Sequence, residues 1–66
     1  MYVLEKWHKQ TDYTDEYKTS NSELNKLAID NKAQLVVAYW YGGLDSNMAD
    51  YALLKGDQLA YIKWSH

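Results

Sequence analysis

Cysteine, arginine, proline and phenylalanine are all absent from this chain of 66 residues. The lack of cysteine excludes disulfides and metal sites built on thiolates. Only two histidines, His8 and His66, are present, and they lie far apart in the sequence. We therefore expect no metal and no cofactor. All seven basic residues are lysine, a bias that suits AT-rich genomes, including those of phages and plasmids of low-GC bacteria.

Long apolar runs are also missing, since none approaches the ~20 residues that a membrane helix needs. The first residues show no basic stretch followed by a long apolar segment, so no signal peptide is predicted. A net charge of −2 gives no general attraction to nucleic acid or to anionic lipid. We expect a cytoplasmic protein without membrane contact, in the host cell if the gene is of phage origin.

Apolar and aromatic residues are plentiful, with a hydrophobic share of 47% that includes three tryptophans and seven tyrosines. This composition predicts one folded domain over residues 1–66. At this size, burial at ~25 cal/mol per Å² is nearly cancelled by ~1.5 kcal/mol of entropy per ordered residue. Dense aromatic packing, self-association or both must then supply stability.

Residues 34–41 form the longest apolar run and end at Gly42-Gly43, which predicts a central β-strand. Neither side of the run is polar, so both faces should be covered. We expect the helix predicted below to pack on the side with the smaller residues, which leaves the tyrosine side without a certain cover. The sides are Val36, Ala38 and Trp40, and Leu35, Val37, Tyr39 and Tyr41.

A helix is predicted at about residues 21–31. Ser20 and Glu23 have the spacing of a capping box, in which the serine hydroxyl accepts from the backbone N–H of Glu23. Leu24, Leu27 and Ala28 then form a narrow apolar stripe. A helix this short is marginal in isolation and requires packing on the sheet.

Strands are predicted on both sides of this centre. Residues 2–9 alternate, with Val3, Glu5 and Trp7 on one side. Residues 13–19 could return as a hairpin partner, with an extended loop as the alternative. Residues 50–55 and 58–64 read as a hairpin around Gly56-Asp57, with a short helix at about 46–55 as the alternative. The hairpin pairs Leu54 with Leu59, Ala52 with Tyr61 and Asp50 with Lys63.

These elements predict an α+β fold in the order β(β)αβββ. A small, mostly antiparallel sheet of four or five strands carries one helix on one face. No motif in the chain identifies a family.

The sequence contains no convincing set of catalytic or metal-binding residues. His8 lies between lysines in a strand, and the carboxylates are typical of a solvated surface. Residues 45–50 lack the glycine and the bidentate glutamate of a calcium loop. We predict that the chain is not an enzyme and has no catalytic or metal-binding residues.

Tyrosine-rich strands indicate a binding surface, because tyrosine supplies large contact area at low conformational cost. The leading hypothesis is a non-enzymatic protein–protein interaction module, specifically a phage or mobile-element protein that binds and inhibits a host protein. The alternatives are a single-stranded nucleic-acid-binding module, disfavoured by the scattered lysines, and a structural homodimer. The predicted partner-binding residues are Tyr13, Asp15, Glu16, Tyr17, Tyr39, Tyr41 and Tyr61.

Overall fold

A computed structural model describes residues 1–11, 13–39 and 49–65, and it confirms the α+β class. Six antiparallel strands and one helix occur in these residues. None of the described helical structure is long and apolar enough to cross a membrane. The elements are β1 (Tyr2–Leu4), β2 (His8–Lys9), β3 (Tyr13–Glu16), α1 (Ser22–Asp30), β4 (Gln34–Tyr39), β5 (Ala49–Lys55) and β6 (Gln58–Trp64).

The hairpin of β5 and β6 confirms the predicted register. Leu54 lies opposite Leu59 and Ala52 opposite Tyr61. The Lys63 Nζ lies 3.7 Å from the Asp50 Oδ2, an exposed pair that contributes at most about 1 kcal/mol. The alternative of a helix at about 46–55 is wrong for residues 49–55, which form a strand, while residues 46–48 lie outside the described part of the chain.

The turn that joins these strands explains the outcome. Gly56 has a φ of +61°, which a tight two-residue hairpin turn requires at its first central position. The turn therefore fixes the register of the hairpin, and this requirement outweighed the helix propensity of the residues before it.

The sheet order is β1-β6-β5-β4-β3, with β2 also paired to β6. The hairpin predicted between the first strand and residues 13–19 is therefore wrong. Strand β3 is shorter than predicted and pairs with β4 at the opposite edge, where Tyr13 lies opposite Tyr39. Alternation within a strand indicates which residues share a face, but it does not indicate which strand lies beside it. The contact between Tyr13 and Tyr39 favours the pairing of β3 with β4.

A β-bulge divides the first edge strand into β1 and β2. Leu4 lies opposite Ile62, and His8 lies opposite Leu59. His8 is four residues after Leu4 in the edge strand, whereas Leu59 is only three residues before Ile62 in β6. The edge strand therefore contains one extra residue within residues 5–7.

The bulge corrects the alternation predicted for residues 2–9. A regular strand would place Trp7 on the same face as Val3 and Glu5. Beyond the extra residue Trp7 instead packs into the core under the helix. Its ring lies 4.9 Å from the Lys55 Nζ, which adds a cation–π contact there.

The sheet is strongly coiled, as the short connection from β2 to β3 shows. Lys9 and Tyr13 lie at opposite edges, yet four residues span at most about 14 Å. In a flat sheet, four strand spacings would separate those edges by about 19 Å. Twist brings such diagonally opposite corners of a sheet together. At another corner, the Tyr2 N–H of β1 donates to the Glu23 Oε2 of the helix at 3.0 Å.

Helix α1 packs on the face of β4 that carries Leu35, so the prediction that it packs on the Val36 and Ala38 face is wrong. Trp40, the third residue of that predicted face, lies outside the described residues. The larger side chains on the Leu35 face offer the helix more apolar area, whereas small side chains suit the face that the coiled sheet closes. The helix-side core is Leu24, Ala28, Leu35, Leu53 and Ile62, and the opposite core is Val36, Ala38, Ala52 and Leu59.

The helix begins one residue later than the predicted cap. The side-chain oxygen of Asn21, not of Ser20, accepts from the N–H groups of Glu23 and Leu24 at 2.9 and 3.1 Å. The Glu23 carboxylate does not return to the helix start but binds the Tyr2 amide. The acid predicted to complete a capping box therefore ties the helix to an edge strand.

A Schellman motif ends the helix. The Ala33 N–H donates to the Ala28 carbonyl and the Lys32 N–H donates to the Ile29 carbonyl, both at 3.0 Å. Lys32 has a φ of +53°, a conformation that glycine adopts without steric cost and lysine does not.

Replacing Lys32 with glycine is expected to stabilise the domain. Relief of the left-handed conformation is worth ~1–2 kcal/mol, and the freer unfolded chain offsets ~0.4–1 kcal/mol of this gain. We expect a net gain of about 0.5–1 kcal/mol and a rise of a few degrees in the melting temperature. Thermal unfolding followed by circular dichroism measures it. Lys32→Ala is the control, because it removes the same charge and keeps the strain, and an equal gain in both variants would contradict the explanation.

Candidate functional site

The helix covers only part of the sheet face on which it lies. Side chains that are neighbours across β3, β4 and β5 form three successive rows on this face. Leu35 and Leu53 of the first row belong to the helix-side core, whereas no side chain of the next two rows is fully buried. The rows are Tyr17, Leu35 and Leu53, then Asp15, Val37 and Tyr51, then Tyr13, Tyr39 and Ala49.

Four tyrosine rings meet on this part of the face, and we call them, together with Asp15 and Val37, the tyrosine surface. The rings of Tyr13 and Tyr39 have centroids 5.6 Å apart, and those of Tyr17 and Tyr51 are 4.7 Å apart. Tyr13 is 68% exposed and Tyr51 is 40% exposed. Tyr17 also packs against the helix-side core, so it anchors the cluster to the domain.

Hydrogen bonds join the phenol groups to one another and to an acid. The Tyr13 hydroxyl donates to the Asp15 Oδ1 at 3.1 Å, and this bond raises the pKa of Tyr13. The Tyr17 and Tyr51 hydroxyl oxygens lie 3.4 Å apart. Their shared hydrogen bond lowers the pKa of Tyr17 and raises that of Tyr51.

A depression of about 420 Å³ opens on part of the tyrosine surface. Among the described residues its lining includes Tyr17 and Tyr51 on either side of Val37. An open depression with aromatic walls suits a side chain or a strand of a partner better than an enclosed small molecule.

The charge beside the tyrosine surface is negative. Asp15 lies between the two tyrosine pairs, and Glu16 follows it with its side chain on the other face of the sheet. Within residues 1–11, 13–39 and 49–65 the only ion pair joins Asp50 and Lys63, so neither acid has a cationic partner there. This arrangement favours contact with a positively charged group and disfavours a phosphate backbone.

The structure brings together four of the seven residues predicted to bind a partner: Tyr13, Asp15, Tyr17 and Tyr39. Glu16 and Tyr61 lie on the opposite face, because Glu16 is level with Val36 and Tyr61 with Ala52. Tyr41 lies outside the described residues.

Tyr51 was missed as a site residue, although the sequence contained a signal for it. The predicted hairpin register, extended by the alternation of β5, places Tyr51 on the same face as Leu53. That face carries the helix, and Tyr51 lies directly opposite Val37 of β4.

A second depression, of about 290 Å³, lies on the opposite face and is lined by Glu5, Asp50, Tyr61 and Lys63. His8 stacks on Tyr61 there, with ring centroids 5.7 Å apart and planes 18° apart. The His8 ring is exposed, and its Nδ1 lies 3.4 Å from the Lys6 carbonyl oxygen. In the described ranges no three His, Asp or Glu residues are placed to hold a metal ion.

Comparison of the chain with protein-family models, with curated proteins and with solved structures found no match.

Proposed function

We propose that the chain is a non-enzymatic protein-binding module and that the tyrosine surface is the contact for its partner. The observation that carries this proposal is the cluster of four tyrosine rings on the part of the sheet face that the helix leaves open. Tyrosine is enriched among the residues that dominate binding energy at protein interfaces, since it combines a large apolar ring with a hydrogen-bonding hydroxyl.

The charge distribution favours a protein over a nucleic acid as the partner. A single-strand binder needs aromatic platforms lined with positive charge. Here the aromatic platform carries Asp15, whose carboxylate already accepts from Tyr13. A basic or neutral protein surface fits this platform, and a phosphate chain would be repelled from it.

The more specific form of the proposal is that the partner is a host protein that a phage or mobile-element product inhibits. Its support lies in composition: the chain is small, all of its basic residues are lysine, and asparagine and tyrosine are frequent. Such a bias suits a low-GC bacterial host.

The test compares the wild type with two single variants, Tyr51→Ala and Ile29→Ala. Each immobilised protein is incubated with a nuclease-treated lysate of a low-GC bacterium, and the captured proteins are quantified. The affinity of the purified captured protein is then measured for all three. Ile29→Ala is the matched control, because Ile29 is 74% exposed on the helix and is not one of the residues of the tyrosine surface.

We expect Tyr51→Ala to weaken binding at least tenfold, which corresponds to about 1.4 kcal/mol, and Ile29→Ala to bind as the wild type does. Equal capture by both variants would contradict the proposal. Material that disappears on nuclease treatment would indicate nucleic acid instead. A dimer in light scattering that Tyr51→Ala dissociates would make the surface a self-interface.

A further inference from the structure

We propose that the outer edge of β3, which no described strand pairs with, accepts an extended strand of the partner, and that this strand carries arginine or lysine beside Asp15. This inference rests on the proposed function, since it specifies how the partner of the tyrosine surface is bound. The occupant is a foreign, basic strand and not a second copy of this chain.

The hydrogen-bond pattern of β3 shows which backbone groups are available. The Tyr17 N–H donates to the Leu35 carbonyl at 3.0 Å, so this pair exchanges its hydrogen bonds across the β3–β4 ladder. Antiparallel pairs alternate between hydrogen-bonded and non-hydrogen-bonded positions. Thr14 and Glu16 are therefore the residues whose N–H and C=O groups point away from β4. An exposed row of this kind is a template for another strand.

The opposite edge of the sheet, formed by β1 and β2, differs because one backbone N–H that points away from the sheet already has a hydrogen-bond partner. The Tyr2 N–H points away from β6 and donates to the Glu23 Oε2 at 3.0 Å. The bulge within residues 5–7 interrupts the ladder further along the same edge. This hydrogen bond and the bulge both hinder the addition of a strand to the edge formed by β1 and β2. The β3 edge is therefore the more accessible of the two edges.

Charge complementarity selects the occupant. Asp15 and Glu16 are both exposed and have no cationic partner among the described residues. A basic side chain of the added strand that lies beside Asp15 can bind its carboxylate and cover the Tyr13 ring, which is 68% exposed.

The same charges disfavour self-pairing through this edge. In an antiparallel pairing of two copies of β3, a register centred on Asp15 sets two Asp15 carboxylates directly opposite each other. A register centred on Glu16 does the same with two Glu16 carboxylates. Like charges directly opposite destabilise a pair of strands, so a basic foreign strand is the better fit.

The test uses three synthetic peptides with blocked ends: four repeats of Arg-Val, of Glu-Val and of Arg-Pro. Each is titrated into ¹⁵N-labelled protein, and amide shifts and hydrogen exchange are followed by NMR. We expect the Arg-Val peptide to bind at least tenfold more tightly than the other two and to slow the exchange of the Thr14 and Glu16 amides. In the register that sets arginine opposite Asp15, the Arg-Pro peptide keeps the charge but places proline, which has no N–H to donate, opposite Thr14 and Glu16.

Two variants at one position separate strand addition from other contacts. Thr14→Pro removes an outward N–H and leaves the ladder to β4 unbroken, whereas Thr14→Val keeps that N–H with a similar shape. We expect Thr14→Pro to weaken Arg-Val binding at least tenfold and Thr14→Val to change it less than twofold, with both variants folded by circular dichroism. Asp15→Asn is expected to weaken binding severalfold and to reduce its dependence on salt.

Equal binding of the Arg-Val and Glu-Val peptides, or equal binding by the two Thr14 variants, would overturn the inference. Protection of the Thr14 and Glu16 amides that rises with protein concentration alone would do the same, since a second copy would then occupy the edge. If Tyr51→Ala abolishes capture of the cellular partner while Thr14→Pro captures it fully, strand addition fails and the proposed function stands.

Discussion

Replacing Leu53 with alanine is expected to lower the free energy of unfolding by about 2–5 kcal/mol, the range for a buried leucine. Leu53 is 0% exposed and belongs to the core under the helix. A domain of this size has a total stability of about 3–10 kcal/mol, at roughly 0.05–0.15 kcal/mol per residue. One substitution would thus remove a large share of it. Urea unfolding followed by tryptophan fluorescence measures the change.

The matched control for Leu53 is Ile29→Ala on the outer side of the helix. Because Ile29 is 74% exposed, its loss should change stability by less than about 0.5 kcal/mol. If Leu53→Ala is unfolded in water, Ile62→Val in the same core is expected to cost about 0.5–1.5 kcal/mol. A loss no larger than that of Ile29→Ala would show that this core does not hold the domain together.

Replacing Ala52 with leucine is expected to destabilise the domain by about 1–3 kcal/mol, through overpacking. Ala52 is 0% exposed and lies between Val36 of β4 and Tyr61 of β6. No described helix covers this face, and the side chains that pack against its core include Leu54 and Tyr61. The added methyl and methylene groups have no space unless the sheet opens. Urea unfolding gives the magnitude, and near-ultraviolet circular dichroism reports altered tyrosine packing.

A substitution at the rim of the same face provides the comparison. Val3 is 38% exposed and pairs with Lys63 in the edge strand. Val3→Leu should change stability by less than about 0.5 kcal/mol, as expected for a surface position. If Ala52→Leu is tolerated equally well, the face is open, and the coiling inferred from the β2–β3 connection is incorrect.

Local chemistry in the sequence predicted the elements that a few neighbouring residues determine. The register of β5 and β6 followed from Gly56, because a two-residue turn leaves little freedom in pairing. The helix start was predicted to within one residue, since Ser20 and Asn21 are both good caps. Only the geometry of the chain decided in favour of Asn21, whose oxygen receives two amide hydrogen bonds.

Relations between distant segments could not be predicted in this way. Alternation divides β4 into two faces, but it does not say which of them receives the helix. The bulge within residues 5–7 has no glycine or proline to mark it, so Trp7 was assigned to the wrong side. The partner of β3 was also wrong, because tyrosines at alternate positions suit either neighbour.

The same missing information about which strands pair accounts for the site residues that were predicted incorrectly. Tyr13, Tyr17 and Tyr39 were named because they are aromatic residues on strands, yet their grouping depends on the β3–β4 pairing. Tyr61 was included because no rule tied its face to that of Tyr39. Only the combination of two registers, β4 with β5 and β5 with β6, places it on the opposite side.

The pairing of β1 with β6 has a consequence for the order of folding. The Ser65 N–H donates to the Met1 carbonyl at 2.7 Å, a contact between residues 64 positions apart. Closing so long a loop costs more entropy than closing the two-residue turn at Gly56. We expect the β5–β6 hairpin to form early and the bulged edge to join last. Contacts between such distant residues predict folding in milliseconds to seconds, slower than a helical bundle of equal length.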